Sequence, residues 1–221
     1  NISLLSKMNF TPMQSLSGDY YPLDIDVTPL DNSKSKKEGV SCTYKLFDGY
    51  APMMAYIARE GYLIASEFRR GSQHCQNGTP EFLKYAITTA KKVLPNDSKL
   101  LIRMDAGNHS AENFEVCNQA NTFWIVKRNL RKEPKERWID FAKKCGECIS
   151  DEDGKRVFVG AIYHAHEEKG DIKVPTDVII KITETYESEN GQQRSDITID
   201  VDVETYTTNL PEDPLKIIEL Y

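Results

Sequence analysis

At 221 residues, with 39% hydrophobic and 28% charged side chains, the chain is long enough for one large domain or two small ones. A net charge of -6 counts against a generally basic nucleic-acid binder, although carboxylates awaiting a metal contribute to it. No window approaches the unbroken apolar length of a membrane helix and the first residues lack a secretory pattern, so a cytoplasmic protein with no membrane partner is expected. Cys42, Cys75, Cys117, Cys145 and Cys148 are odd in number and scattered, which favours reduced thiols over a disulfide framework.

In chain order, residues 1–17 show no clear periodicity and read as an N-terminal arm. A first strand follows over 20–29, where Asp24 and Asp26 share one face by the period of two. Residues 31–39 form a charged turn, and 40–47 (VSCTYKLF) reads as a strand paired back on the first. Residues 50–58 fit a strand or a short bend, and 62–69 is the third strand of a meander. After a polar loop, Thr79 as N-cap, Pro80 and Glu81 open a helix. Phe82, Leu83, Ala86, Ile87, Ala90, Val93 and Leu94 recur along it at helical spacing, and Pro95-Asn96-Asp97 ends it.

The stretch 99–112 (KLLIRMDAGNHSAE) is the one around which the other elements are arranged. Its apolar run predicts a buried strand that delivers Asp105 to its C-terminal edge, where open sheets place their chemistry. A tight turn leads into a helix over 111–119, with Ser110 as cap and Glu112 suited to the positive end of the helix dipole. A fifth strand covers 122–127, with Trp124 in the core, and an amphipathic helix covers 134–144 with Trp138, Phe141 and Ala142 on one side. Beyond about residue 149 the period changes to two, with strands over 157–165, 178–186 and 197–206 and turns at Asp153-Gly154 and Asn190-Gly191. A last helix begins in 211–221. The division is an arm (1–17), an α/β core (18–148), a β-strand insertion (149–208) and the start of a final core helix (209–221).

Two acidic strand positions far apart in sequence point to one metal site, although Asp105 alone also fits ordinary Asp-x-Gly turn chemistry. Asp200, Asp202 and Glu204 alternate strictly with apolar residues and read as a solvent face. Cys145 and Cys148 have zinc-like spacing but no second pair, with only His164 and His166 nearby, so free thiols are expected. His74 and His109 fall beside the proposed site, either as contacts to DNA phosphate or the attacking water or, the preferred reading, as turn stabilisers. Lys127, Arg128, Arg131, Lys132, Lys135 and Arg137 form a basic stretch, either a solvated helix start or a salt-sensitive DNA-backbone contact centred on Lys127, Arg128 and Arg131.

The order of elements, with an Asp on the first strand and another on the fourth, is that of the ribonuclease H-like fold: a mixed sheet flanked by helices. The local text goes further and resembles the bacterial insertion-sequence transposases of the DDE class that carry a β-strand insertion before their final catalytic helix. The matching segments are LDIDVTPLDNSKSKKEGVSCTYKLFDGYAPMMAYI (23–57), FRRGSQHCQNGTPEFL (68–83), LLIRMDAGNHSAEN (100–113) and IVKRNLR (125–131).

The resemblance implies that Asp26 and Asp105 are the first two metal-binding carboxylates, with Asp24 as the competitor for the first role. It implies Mg2+ or Mn2+, two ions about 3.5 to 4 Å apart in the intact enzyme, acting on water and then a DNA 3'-hydroxyl as successive nucleophiles. It also implies transposon-end and target DNA as partners, a homodimer in the transposition complex and a bacterial cytoplasmic location. The third carboxylate of the family is a Glu in the pattern Tyr-x2-Arg-x3-Glu-x6-Lys. Tyr221 resembles the Tyr that opens it, so the chain is expected to stop before that Glu and to be weak or inactive alone. The competing expectations are a metal-dependent nuclease on the same fold and a non-catalytic remnant or interaction fragment.

Overall fold

The computed structural model describes residues 13–130, 133–152, 154–186 and 198–221. The protein is mixed α/β and divides into two compact units, one built from the chain up to Val126 with Glu168–Val174, the other from Lys127–Glu167 and Pro175–Tyr221. No helix among the described residues is long and apolar enough to cross a membrane.

In chain order the strands are β1 (Tyr20–Val27), β2 (Leu30–Asp31), β3 (Ser41–Cys42), β4 (Asp48–Tyr50), β5 (Met53–Ile57) and β6 (Tyr62–Glu67). Helix α1 (Thr79–Val93), β7 (Lys99–Met104), helix α2 (Ala111–Gln119) and β8 (Phe123–Lys127) follow. The main sheet of the first unit runs β6-β5-β1-β7-β8. β5 and β6 are antiparallel to their neighbours, whereas β1, β7 and β8 run parallel to one another. The connections between parallel strands carry α1 and α2, as such crossovers require. One sheet face supplies Leu23, Ile25, Ile102, Met104, Trp124 and Val126 to a core completed by Phe82, Leu83, Ala86 and Ile87 of α1 and Phe114 and Cys117 of α2. Trp124 is fully buried, as expected of its apolar strand, and stacks on Phe114 at 4.3 Å between ring centroids.

The meander exists, but its middle strand is β5 and not 40–47. The expected strand over 40–47 shrinks to β3, which pairs with β4 in a separate three-stranded sheet of order β2-β4-β3. The reason is local. The Thr43 N–H donates to the Phe47 carbonyl at 2.8 Å and Leu46 adopts a left-handed φ of 64°, so the segment closes into a hairpin tip. Helix α1 starts at Thr79 itself, with Gly78 as N-cap. The Thr79 hydroxyl instead donates to the Cys75 carbonyl and accepts from Arg69 Nη1 at 3.2 Å. Helix α2 has its expected bounds, but Ser110 at the N-cap makes no side-chain cap bond.

The second unit contains helix α3 (Lys135–Cys145), strands β9 (Glu147–Glu152), β10 (Lys155–Lys169), β11 (Ile172–Tyr186) and β12 (Thr198–Thr208), and helix α4 (Pro214–Leu220). The strands lie in the order β12-β11-β10-β9. Trp138 and Ala142 of α3 pack on Val178, Ile180, Ile182 and Val203. β9 escaped the sequence pattern because ECISDE holds only one large apolar residue besides Cys148, and the strand is held by backbone pairing with β10. Asp153 and the Asn190-Gly191 turn lie outside the described residues. Asp213 caps α4 by accepting from the Lys216 N–H at 3.0 Å.

The Phe114–Trp124 stack sits where α2 meets the sheet, so truncating it opens a cavity that the close-packed neighbours cannot fill. Phe114→Ala is expected to cost about 3–5 kcal/mol in urea unfolding. Leu46→Ala, on a side chain 88% exposed, is expected to stay within about 0.5 kcal/mol of the parent.

Candidate active site

The parallel register of β1 on β7 pairs Asp24 with Arg103 and Ile25 with Met104. The next step along it sets Asp26 beside Asp105, on neighbouring strands about 4.8 Å apart and on the face away from Leu23 and Ile25. Asp105 keeps extended backbone (φ -77°, ψ 175°) just past the end of β7, then the chain tightens into a 3-10 turn over Ala106–Asn108. The Asn108 side-chain amide donates to Asp105 Oδ1 at 2.9 Å and its N–H to the Asp105 carbonyl at 3.1 Å. The Val27 N–H donates to Asp26 Oδ1 at 2.8 Å. Gly107 lies so close behind the carboxylate that a Cβ there would stand 3.3 and 3.4 Å from the two Asp105 oxygens and 3.1 Å from Cys75 Sγ.

Both carboxylates line one cavity of about 490 Å3, walled by the β3–β4 hairpin tip on one side and the 71–75 loop on another. Its electrostatics combine burial with two neighbouring carboxylates. Burial pushes the Asp26 carboxyl above its ordinary range, and the charge of Asp105 adds to this, opposed by the Val27 N–H and by Lys45. The Cys75 thiol is raised by burial and then by Asp105, and the Tyr44 hydroxyl by burial and then by Asp26 and Asp105. Asp24, two residues before Asp26 on the same face, differs in kind. Arg103 Nε and Nη2 donate to its two oxygens at 2.6 and 2.7 Å, a bidentate pair.

His74 lines the same cavity, but its Nδ1 accepts from the Gln76 N–H at 3.2 Å, which is turn chemistry. His109 is buried with its ring packed against Phe114 at 5.3 Å. In the second unit the proposed DNA-contact residues have carboxylate partners. Lys127 donates to Glu204 at 2.9 Å, and Arg128 pairs with Glu167 and, at 3.3 Å, with Glu133. Arg131 lies outside the described residues. Asp200 and Asp202 are exposed, whereas Glu204 of the same strand is bridged by Lys127 and Lys181. Cys145 and Cys148 are exposed free thiols, and no cluster of three or more His, Cys, Asp or Glu side chains able to hold a metal occurs among the described residues.

Sequence reasoning missed Arg103, Cys75 and Tyr44 as parts of this region. The signal for Arg103 was present, because a parallel partner strand ending on Asp105 must place position 103 beside Asp24 once Asp26 is set beside Asp105. Nothing in the sequence brought the 42–44 and 71–75 segments together.

No protein-family model and no curated protein matches this sequence. Among solved structures the chain is similar to piggyBac transposase in the cryo-EM structure of its synaptic complex with hairpin DNA, at 13% identity and a TM-score of 0.38, over 96% of this chain and 36% of that one. The chain thus spans about a third of the length of the transposase it matches. A likeness at that level bears on neither activity nor site.

The two aspartates of β1 are expected to respond oppositely to amidation. Asp24→Asn breaks a partly exposed bidentate pair and is expected to cost about 1 kcal/mol, a fall of about 2–4 °C in midpoint. Asp26 has a raised native pKa, so its contribution to stability is fully present below the unfolded value and is lost as pH rises through the native one. Asp26→Asn is therefore expected to melt higher than the parent at pH 7 without added metal, with the gap closing in acid. Scanning calorimetry across pH checks both.

Proposed function

We propose that this chain carries part of the catalytic core of a DNA transposase of the DDE class, with Asp26 and Asp105 as the carboxylates that hold a divalent cation. The observation that carries the reading is the β1–β7 register. It brings together two aspartates 79 positions apart, the two that the transposase-like sequence segments single out, and leaves the competing Asp24 paired with Arg103. The strand order β6-β5-β1-β7-β8, three antiparallel strands followed by two parallel ones, fits the ribonuclease H-like core expected from the sequence.

The residues fit the implied Mg2+ or Mn2+. Carboxylate oxygens are the ligands such hard cations take, and Asp26 is an exposed carboxylate in a negatively charged setting that a cation would relieve. When bound, the metal supplies activation of an attacking oxygen and stabilisation of a leaving one. The chain's own groups do the positioning. Asn108 fixes the Asp105 carboxylate, the Val27 N–H fixes that of Asp26, and Arg103 keeps Asp24 from folding toward the pair. The cavity beside them has room for a phosphodiester and its flanking sugars. Contacts from Lys127, Arg128 and Arg131 to the DNA backbone remain part of the proposal, with Lys127 and Arg128 exchanging protein carboxylates for phosphates.

Titration calorimetry with Mn2+ tests the reading on this chain. Binding by the parent, its loss in Asp26→Asn and in Asp105→Asn, and its retention in Asp24→Asn are expected. The affinity is expected to fall as pH drops through the raised Asp26 pKa, with proton release on binding in that range. Equal heats from all four proteins would sink the metal site, and loss only in Asp24→Asn would move the first ligand to that residue.

A further inference from the structure

The tip of the β3–β4 hairpin forms a wall of the carboxylate cavity through Cys42, Thr43 and Tyr44. It is clasped from within. The Thr43 N–H and hydroxyl both donate to the Phe47 carbonyl, at 2.8 and 2.9 Å, and the Leu46 N–H donates to the Thr43 carbonyl at 3.0 Å. Thr43 is buried by this clasp, and the next side chains are turned outward. Tyr44 is 66% exposed although it lines a cavity, and Lys45 beside it is exposed too. The Lys45 ammonium stands 5.9 Å from the centroid of the Tyr44 ring.

Both residues face the carboxylate pair electrostatically. The Tyr44 hydroxyl feels the charges of Asp26 and Asp105, and Lys45 is the cation that acts against the raised state of Asp26. An exposed tyrosine lining an acidic cavity, with a lysine ammonium over its ring that can swing to a phosphate, suits a ligand with a flat π surface and a negative charge next to it. A nucleotide within a single strand has both, and stacking on an aromatic side chain accepts any base.

We propose that Tyr44 and Lys45 form a nucleotide platform, Tyr44 stacking on a base of single-stranded DNA and Lys45 pairing with its phosphate, so that the neighbouring phosphodiester is presented to Asp26 and Asp105. The platform rests on the DNA reading above. Its residues are positioning residues, since neither touches the reacting oxygen.

The test is fluorescence anisotropy of a short labelled single-stranded oligonucleotide at low salt with Mn2+, beside Mn2+ calorimetry on the same proteins. Tyr44→Ala is expected to weaken binding about tenfold, Tyr44→Phe to keep parental affinity, and Lys45→Ala to reduce the salt slope by about 0.7. With an oligonucleotide made abasic throughout, Tyr44→Ala and the parent are expected to bind alike, which a merely structural tyrosine would not produce. Both Tyr44 variants are expected to keep the parental Mn2+ heat, whereas Lys45→Ala, which removes a positive charge acting on Asp26, is judged by its salt slope alone. A parent that binds Mn2+ and DNA while Tyr44→Ala binds DNA equally well overturns the platform alone. A Tyr44→Ala loss of the same size on abasic DNA does likewise. A parent that binds neither Mn2+ nor DNA overturns the underlying reading and the platform with it.

Discussion

A one-residue slip of β1 along β7 would exchange the faces of β1, putting Asp24 and Asp26 among Phe82, Leu83 and Met104 and turning Leu23 and Ile25 to the polar side. Leu23, Ile25 and Ile102 are essentially inaccessible in the observed register. Each such side chain contributes about 1.5–3 kcal/mol on burial, and unpaired carboxylates in their place would cost more still. The register is therefore set by the dry face, where the hydrophobic effect acts, and the other face follows because side chains alternate. Asp26 and Asp105 are neighbours as a by-product of that packing. Burial of the Asp26 carboxyl opposes the arrangement first and the charge of Asp105 adds to it, so that carboxyl is raised above its ordinary range.

The polar face then separates two carboxylates that the sequence makes look equivalent. Asp24 meets a guanidinium whose planar fork matches both its oxygens, so it has an ion-pair partner and its geometry is fixed. One rung further the partner position holds another aspartate, and charge of one sign accumulates. Tyr44 from the hairpin and Cys75 from the loop hold their protons more tightly too, through burial first and the aspartate charges second. A region built this way costs stability, which the cation proposed above would recover. Perturbed groups gathered in a cleft are a mark of function more often than of structure alone.

What was legible in the sequence follows from which forces are local. β1, β7, β8 and the two helices between parallel strands were readable because apolar periodicity and the Pro95-Asn96-Asp97 stop act within a few residues. Asp26 and Asp105 stood out because acidic residues end or interrupt otherwise apolar runs. The segment 40–47 misled because its polar and apolar residues nearly alternate, while a single threonine clasp and a left-handed leucine decide its shape. The caps misled for a different reason. Thr79 turns its hydroxyl to the Cys75 carbonyl, a contact the helix sequence cannot report. Of the cavity walls only His74 was placed beside the site, since 42–44 and the rest of 71–75 meet the carboxylates only through tertiary contact.

Those walls are held by backbone proximity more than by long side chains. A Cβ on Gly71 would stand 2.1 Å from the Ser41 carbonyl oxygen and 2.5 Å from that of Gly49, so only glycine lets the loop lie against the small sheet. The Ser72 N–H extends the contact by donating to Ser41 Oγ at 2.9 Å. At the loop's other end the Cys75 thiol donates to the Gly107 carbonyl at 2.9 Å, beside the same glycine that leaves no space behind Asp105. Hairpin, loop and carboxylate turn are thus linked in series through two glycines and short bonds. Short links of this kind limit how far the two can drift, and a drift of about 1 Å is enough to spoil a reacting geometry. A tyrosine on a free loop could stack on a base anywhere along a strand. One tied through Gly71 and Cys75 holds it at a set distance from the carboxylates, which is what presenting a particular phosphodiester requires.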